Sequence, residues 1–146
     1  MKTMLLKNGI FTMLMFAFIL VALPSCDKDE ETPEPTFKET LVGTWDIDSY
    51  LLDDDEWMGL ILDEASITFQ EPIGNSGIFI QEGLFADGDT MDLSGRYIYD
   101  EVASQVTMFY NGEPILADIT FTGGNKMLWE GIEQEFPLVI KATKRK

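Results

Sequence analysis

Acidic side chains are the most numerous groups in this sequence that could do chemistry, with 26 Asp and Glu against 10 Lys and Arg. The densest groups are residues 53–56 and the set Asp87, Asp89 and Asp92. Calcium prefers six to eight carboxylate and carbonyl oxygens on a loop, and Asp87 with Asp89 fits the beginning of one. Met91, however, stands where a further oxygen ligand is needed. We therefore interpret both groups as solvated loop tips, with a calcium loop at Asp87, Asp89 and Asp92 as the alternative.

The remaining composition excludes several kinds of chemistry. The chain has no histidine and one cysteine, so it lacks Ser-His-Asp or Cys-His machinery, imidazole-bound zinc and an internal disulfide. Paired carboxylates can hydrolyse glycosides, but among 26 acidic residues some pair always lies at a suitable separation. A formal charge of −16 argues against a nucleic-acid partner. We expect a protein that is not an enzyme and that uses no cofactor.

An apolar segment offers the clearest candidate for ligand binding. Trp57, Met58, Leu60 and Ile61 lie between the first two predicted strands, where they could cover a cavity as a ligand-binding lid. The alternative is that they close off a small, filled core. The isolated Arg96 is interpreted as half of a surface ion pair, with recognition of an anionic ligand as the second possibility.

The elements that must position these residues are strands. From residue 40 onward, short runs of alternating apolar and polar residues are separated by Gly, Asn, Asp and Pro. Asn111-Gly112 predicts a tight hairpin, because both residue types tolerate positive φ. The pattern predicts eight strands, near residues 44–52, 65–70, 77–82, 92–99, 103–110, 115–122, 126–131 and 135–143.

The alternation also predicts which side chains face the core. In the first strand, Trp45, Ile47, Ser49 and Leu51 share one face. One apolar face per strand, short hairpins and an even strand number predict an all-β fold. We expect an eight-stranded up-and-down antiparallel β-barrel, which leaves no exposed edge strand, with a β-sandwich as the alternative.

The start of the first strand resembles a known family. Gly43 and Trp45 match the Gly-x-Trp signature of lipocalins, and residues 40–146 resemble the lipocalin-like domains of Bacteroidetes lipoproteins. The resemblance implies that Trp45 plugs one end of the barrel while a basic residue, Arg145 or Lys144, stacks on it. It also implies a small hydrophobic or amphipathic ligand. The alternative is a filled barrel that serves as a structural module or contacts another envelope protein.

The N-terminus predicts export from the cytoplasm. Lys2 and Lys7 precede an apolar run over residues 10–23, which is shorter than the roughly 20 residues of a membrane-spanning helix. Residues 1–25 are therefore interpreted as a signal peptide.

The end of that segment resembles a bacterial lipobox. Leu23, Pro24 and Ser25 precede Cys26, the position at which such a motif carries lipid. Lipidation explains the lone cysteine, and it makes the membrane a partner through the lipid anchor rather than through a spanning segment.

An acidic segment follows the predicted anchor. Lys28, Asp29, Glu30 and Glu31 resemble the export signal of surface lipoproteins in Bacteroidetes, and the alternative is an acidic spacer. Residues 26–39 are interpreted as an extended tether. The expected location is the outer membrane, with the barrel facing the cell exterior.

Overall fold

The computed structural model describes residues 33–146, so Cys26 and the predicted export signal at Lys28, Asp29, Glu30 and Glu31 lie outside the described residues. Strands dominate the described part of the chain. In chain order the elements are α1 (Phe37–Leu41), β1 (Gly43–Leu52), β2 (Asp55–Glu56), β3 (Leu62–Phe69), β4 (Ser76–Phe85), β5 (Thr90–Asp100), β6 (Gln105–Tyr110), β7 (Glu113–Thr122), β8 (Lys126–Glu133) and β9 (Phe136–Lys144).

These strands form a closed barrel. Each long strand pairs antiparallel with the next, and β9 pairs back onto β1, which closes a ring of eight strands. The two-residue strand β2 is an extra element that pairs only with the end of β1. The prediction of an eight-stranded up-and-down barrel is confirmed, and the sandwich alternative is wrong. Asn111 and Gly112 form the predicted β6–β7 turn, both with positive φ.

The barrel has two different ends. We call the end at the start of β1, which α1 accompanies, the closed end, and the end at the start of β3 the open end. The largest fully buried side chains, which fill the interior, are Trp45, Phe69, Phe79, Tyr97 and Trp129.

A β-bulge in β1 changes the face predicted for its second half. Pairing with β9 shifts register between Ile47 and Ser49, so one residue of β1 is extra there. After the bulge, Tyr50 pairs with the buried Ile140 and Leu52 with the buried Leu138, which places both β1 residues inside the barrel. The prediction that Ser49 and Leu51 share the inner face of Trp45 is therefore wrong.

A short helix replaces the end of the predicted tether. Thr36 accepts a hydrogen bond from the Glu39 amide, and the Glu39 carboxylate accepts one from the Thr36 amide, which together form a capping box. The Phe37 ring packs 5.3 Å from Phe121, and Leu41 is buried. The start of the folded domain therefore precedes the predicted boundary at residue 40. Between residues 33 and 146, no helix is long and apolar enough to cross a membrane.

Candidate ligand-binding site at the open end

A cavity of about 190 Å³ lies inside the open end of the barrel. Its walls are mostly aromatic and aliphatic side chains, and the lining residues come from all eight barrel strands and from the β1–β3 connection. These apolar residues are Trp57, Leu62, Phe79, Phe85, Met91, Leu93, Met108, Ile115 and Leu138. These apolar walls would shield an apolar ligand from water, and they leave room for it between them.

Four polar side chains, Tyr50, Gln81, Tyr110 and Glu133, share this lining. The Tyr50 hydroxyl donates a hydrogen bond of 3.0 Å to Oε2 of Glu133. Burial, and then the neighbouring Glu133 carboxylate, raise the pKa of Tyr50, so its hydroxyl stays protonated and remains a donor. The pair places a fixed hydrogen-bonding group in an otherwise apolar cavity.

Trp57 is held at the wall of the cavity by the backbone around it. Its amide donates to the Tyr50 carbonyl at 2.8 Å, and its ring centroid lies 5.9 Å from that of Tyr50. The Trp57 carbonyl in turn accepts from the amides of Ile61 and Leu62. The indole is therefore part of an ordered turn.

Glu56 organises the same turn from the outside. One carboxylate oxygen accepts from the Ser49 hydroxyl at 2.5 Å, and the other accepts from the amides of Tyr50 and Met58. Burial opposes the charge, but the three hydrogen bonds outweigh it and lower the pKa of Glu56. One member of the acidic group 53–56 is thus a structural carboxylate rather than a solvated loop tip.

The other predicted lid residues do not line the cavity. Leu60 and Ile61 are exposed, with 74% and 41% of their surface accessible. Met58 lies in a cleft on the side of the barrel, where the pairing of β1 with β3 stops after Asp46. Only Trp57 of the four is at the site, because the turn directs the side chains around it elsewhere.

The side cleft has a different character from the cavity. Its volume is about 430 Å³, and its rim carries Asp46, Glu64, Glu82 and Arg145. Charged groups at an open surface are well hydrated, so the cleft suits an apolar ligand less well than the cavity does.

The closed end is filled and its polar groups are satisfied. Trp45 is fully buried, its indole N–H donates to the Leu41 carbonyl at 2.8 Å, and its ring stacks on Phe121 with centroids 5.6 Å apart. The filled-barrel alternative therefore describes this half of the interior. Trp45 occupies the plug position that the Gly-x-Trp resemblance implies.

The basic residue over the plug is Lys144. Its ammonium lies 5.3 Å from the Trp45 ring centroid and donates to the Thr40 carbonyl at 2.6 Å. Arg145, the predicted plug residue, instead forms an ion pair with Asp46 on the outer face. The reason is strand alternation: Lys144 is the register partner of Trp45, so the next residue points outward.

Gly43 is required by the same arrangement. Its φ of +127° is unfavourable for residues with a side chain. A Cβ at this position would lie 3.0 Å from the Cε of Lys144. The first half of the Gly-x-Trp signature therefore makes room for the lysine that covers the second half.

One buried donor lies between the two ends. The indole N–H of Trp129 is buried and has no acceptor among the described residues. Trp129 is two positions before Gly131 on β8, and Gly131 pairs with the cavity residue Leu138. The indole nitrogen is 3.3 Å from the point that a Cβ on Gly131 would occupy. The unpaired N–H therefore lies beside Gly131, next to the inner end of the cavity.

The candidate calcium ligands do not converge. The Asp87 carboxylate accepts from the Asp89 amide within the β4–β5 turn, whereas Asp92 lies on β5 opposite Glu82. Within residues 33–146, no three acidic or cysteine side chains are grouped so that they could hold a metal ion. The arrangement of the described residues therefore gives the calcium alternative no support.

Arg96 is also placed differently from its prediction. Its guanidinium lies 4.6 Å from the centroid of the Phe109 ring on the neighbouring strand. The three ion pairs found between described residues do not include it. Arg96 does not line the cavity, because its neighbour Tyr97 points inward and Arg96 therefore lies on the outer face of β5.

A closed antiparallel barrel with one plugged end and one cavity-bearing end defines a lipocalin-like barrel. Solved structures similar to the chain include a redesigned β-barrel (TM-score 0.60, 12% identity, covering 79% of this chain and 100% of that one). Another redesigned barrel, bound to DFHBI, has a TM-score of 0.54 and 15% identity, covering 72% and 99%. Lobster apocrustacyanin A1 has a TM-score of 0.53 and 13% identity, covering 73% and 61%. No protein-family model and no curated protein matches the sequence. At these identities the likeness establishes the fold.

Proposed function

We propose that this protein binds a small hydrophobic or amphipathic ligand in the open end of its barrel. The observation that carries the proposal is the cavity of about 190 Å³, in which apolar walls surround a few fixed polar groups. Ligand sites typically combine these features, often in the mouths of barrels. An apolar cavity of about 150 Å³ in another protein accommodates benzene, so this one buries about one ring. Because the cavity is open at the mouth of the barrel, the rest of a longer ligand can extend outward past Trp57.

The similar structures support ligand binding by a barrel of this kind, without identifying the ligand or its position. One of the redesigned barrels is bound to DFHBI, a small molecule. The alternative of a filled barrel that contacts another envelope protein fits the closed end, but it leaves the cavity at the open end without a role.

The proposal includes attachment to a membrane. The motif Leu23-Pro24-Ser25-Cys26 supports lipidation of Cys26, and Lys28 with the acidic residues after it supports display at the outer surface of the outer membrane. Metabolic labelling with a clickable fatty acid should mark the wild type and spare Cys26→Ala. Equal labelling of the two proteins would contradict the anchor.

Fluorescence titration with the neutral dye 1-aminoanthracene tests the binding site. The dye should bind the wild-type domain with enhanced emission, and Trp57→Ala should weaken its affinity by about tenfold, because a wall of the cavity is removed. Leu60→Ala is the matched control, since Leu60 lies on the same turn but is exposed.

Two results would contradict the proposed function. The first is a wild-type domain that does not bind the dye. The second is an equal loss of affinity in Trp57→Ala and Leu60→Ala, which would place the dye on the outer surface of the turn.

A further inference from the structure

The lining of the cavity includes a carboxylate, which belongs to Glu133. Glu133 ends β8 and lies two inward positions beyond Trp129, so strand alternation directs it into the barrel. It is among the side chains that line the cavity. Glu133 is partly buried, so the partners of its carboxylate show what this part of the cavity can bind.

Only one of the two oxygens of the Glu133 carboxylate accepts a hydrogen bond from the described residues. Tyr50 donates to Oε2, whereas Oε1 has no hydrogen-bond donor among the described residues. None of the ion pairs found within residues 33–146 involves Glu133. All the cavity-lining residues in the described chain are uncharged except Glu133 itself.

The surroundings of Glu133 favour a cation. The rings of Tyr50 and Trp57 line the same cavity as the carboxylate, and aromatic rings attract ammonium groups. The chain carries a formal charge of −16, which raises the local concentration of cations and repels anions.

We propose that the ligand carries a protonated amine, which Glu133 binds while the apolar walls hold the rest of the molecule. This inference rests on the proposed function and adds the chemical class of the ligand. The carboxylate supplies a charge-assisted hydrogen bond through Oε1, and Tyr50 fixes its orientation through Oε2.

Displacement of 1-aminoanthracene by a matched pair of compounds tests the inference. Phenethylammonium and propylbenzene have nearly the same shape and differ in the charged end. Glu133→Gln should lower the affinity for phenethylammonium relative to propylbenzene by at least about tenfold. The variant keeps an acceptor for Tyr50. Glu135→Gln is the matched control, because Glu135 is exposed in the next turn and does not line the cavity; its affinity ratio should equal that of the wild type.

A second test compares a cation with an anion on the wild-type protein. It therefore does not depend on whether Glu133→Gln folds. In about 1 M salt, where the Debye length is about 3 Å, the general negative field is screened. Under these conditions phenethylammonium should still displace the dye at a lower concentration than 3-phenylpropanoate.

The outcomes separate the two proposals. If the dye does not bind, the proposed function fails. If the dye binds but Glu133→Gln leaves the affinity ratio unchanged, or the cation and the anion compete equally in high salt, only the inference about Glu133 is overturned.

Discussion

The two ends of the barrel differ in how completely their interior side chains are buried and hydrogen-bonded. At the closed end, the aromatic plug Trp45 is fully buried, and its N–H and the ammonium of Lys144 both donate to backbone carbonyls. At the open end, Tyr50 and Trp57 are only partly buried, and Glu133 uses one oxygen. The closed end is complete by itself, whereas the open end keeps apolar surface and bonding capacity for a ligand.

This difference predicts which residues contribute most to the free energy of folding and which contribute most to ligand binding. A side chain without access to water adds to the free energy of folding, because its transfer from water and its packing are both complete. A partly buried wall contributes less to folding and retains surface that a ligand can cover. Substitutions at the closed end should therefore change stability, and those at the open end should change binding.

The largest expected effect is that of Trp45→Ala. Removing a buried aromatic side chain typically costs about 3–5 kcal/mol, out of a total stability of about 5–15 kcal/mol. Urea denaturation should show a loss of this size or a domain that does not fold. Trp57→Ala should change stability much less. If Trp57→Ala is the more destabilising of the two, the roles assigned to the ends are reversed.

A smaller effect is expected for Lys144→Met, which keeps the apolar stem but removes the ammonium over Trp45. The lost hydrogen bond to the Thr40 carbonyl and the lost cation–π contact should lower stability by about 2 kcal/mol. Arg145→Met is the matched control, because its ion pair with Asp46 is exposed, and it should melt close to the wild type. Equal melting temperatures for both variants would show that the Lys144 ammonium does not stabilise the plug.

The smallest effect concerns Glu56 and depends on pH. Because the folded pKa of Glu56 is below the ordinary value of 4.5, its contribution to stability is complete above that pH and is lost as the pH falls through the folded value. Glu56→Gln should therefore be less stable than the wild type near neutral pH, with the difference shrinking in acid. Urea titrations at several pH values measure this, and a difference that does not change with pH would contradict it.

The sequence predicts the barrel well because its signals are local. Alternation and turn residues locate all eight barrel strands, and Gly43 with Trp45 marks the plugged end. Helix α1 also has a local signal that the strand pattern hid, since Thr36 and Glu39 have the spacing of a capping box.

The site is harder to predict from sequence because it depends on register. The bulge after Ile47 cannot be read from a stretch in which both faces carry apolar residues, so alternation alone places Tyr50 on the face opposite Trp45. Glu133 lies beyond the predicted end of its strand, and its pairing with Phe136 is what extends β8. The continued alternation of Trp129, Gly131 and Glu133 is the signal that could have found it.

The central claim is that ligands enter the open end and leave the closed end untouched. An NMR titration of the ¹⁵N-labelled domain with propylbenzene tests it most directly. The account predicts shifts of the Trp57 indole and of the amides of Leu93 and Glu133, with the Trp45 indole and the Gly43 amide unchanged. Shifts centred on Trp45 and Gly43, or no shifts at all, would contradict it.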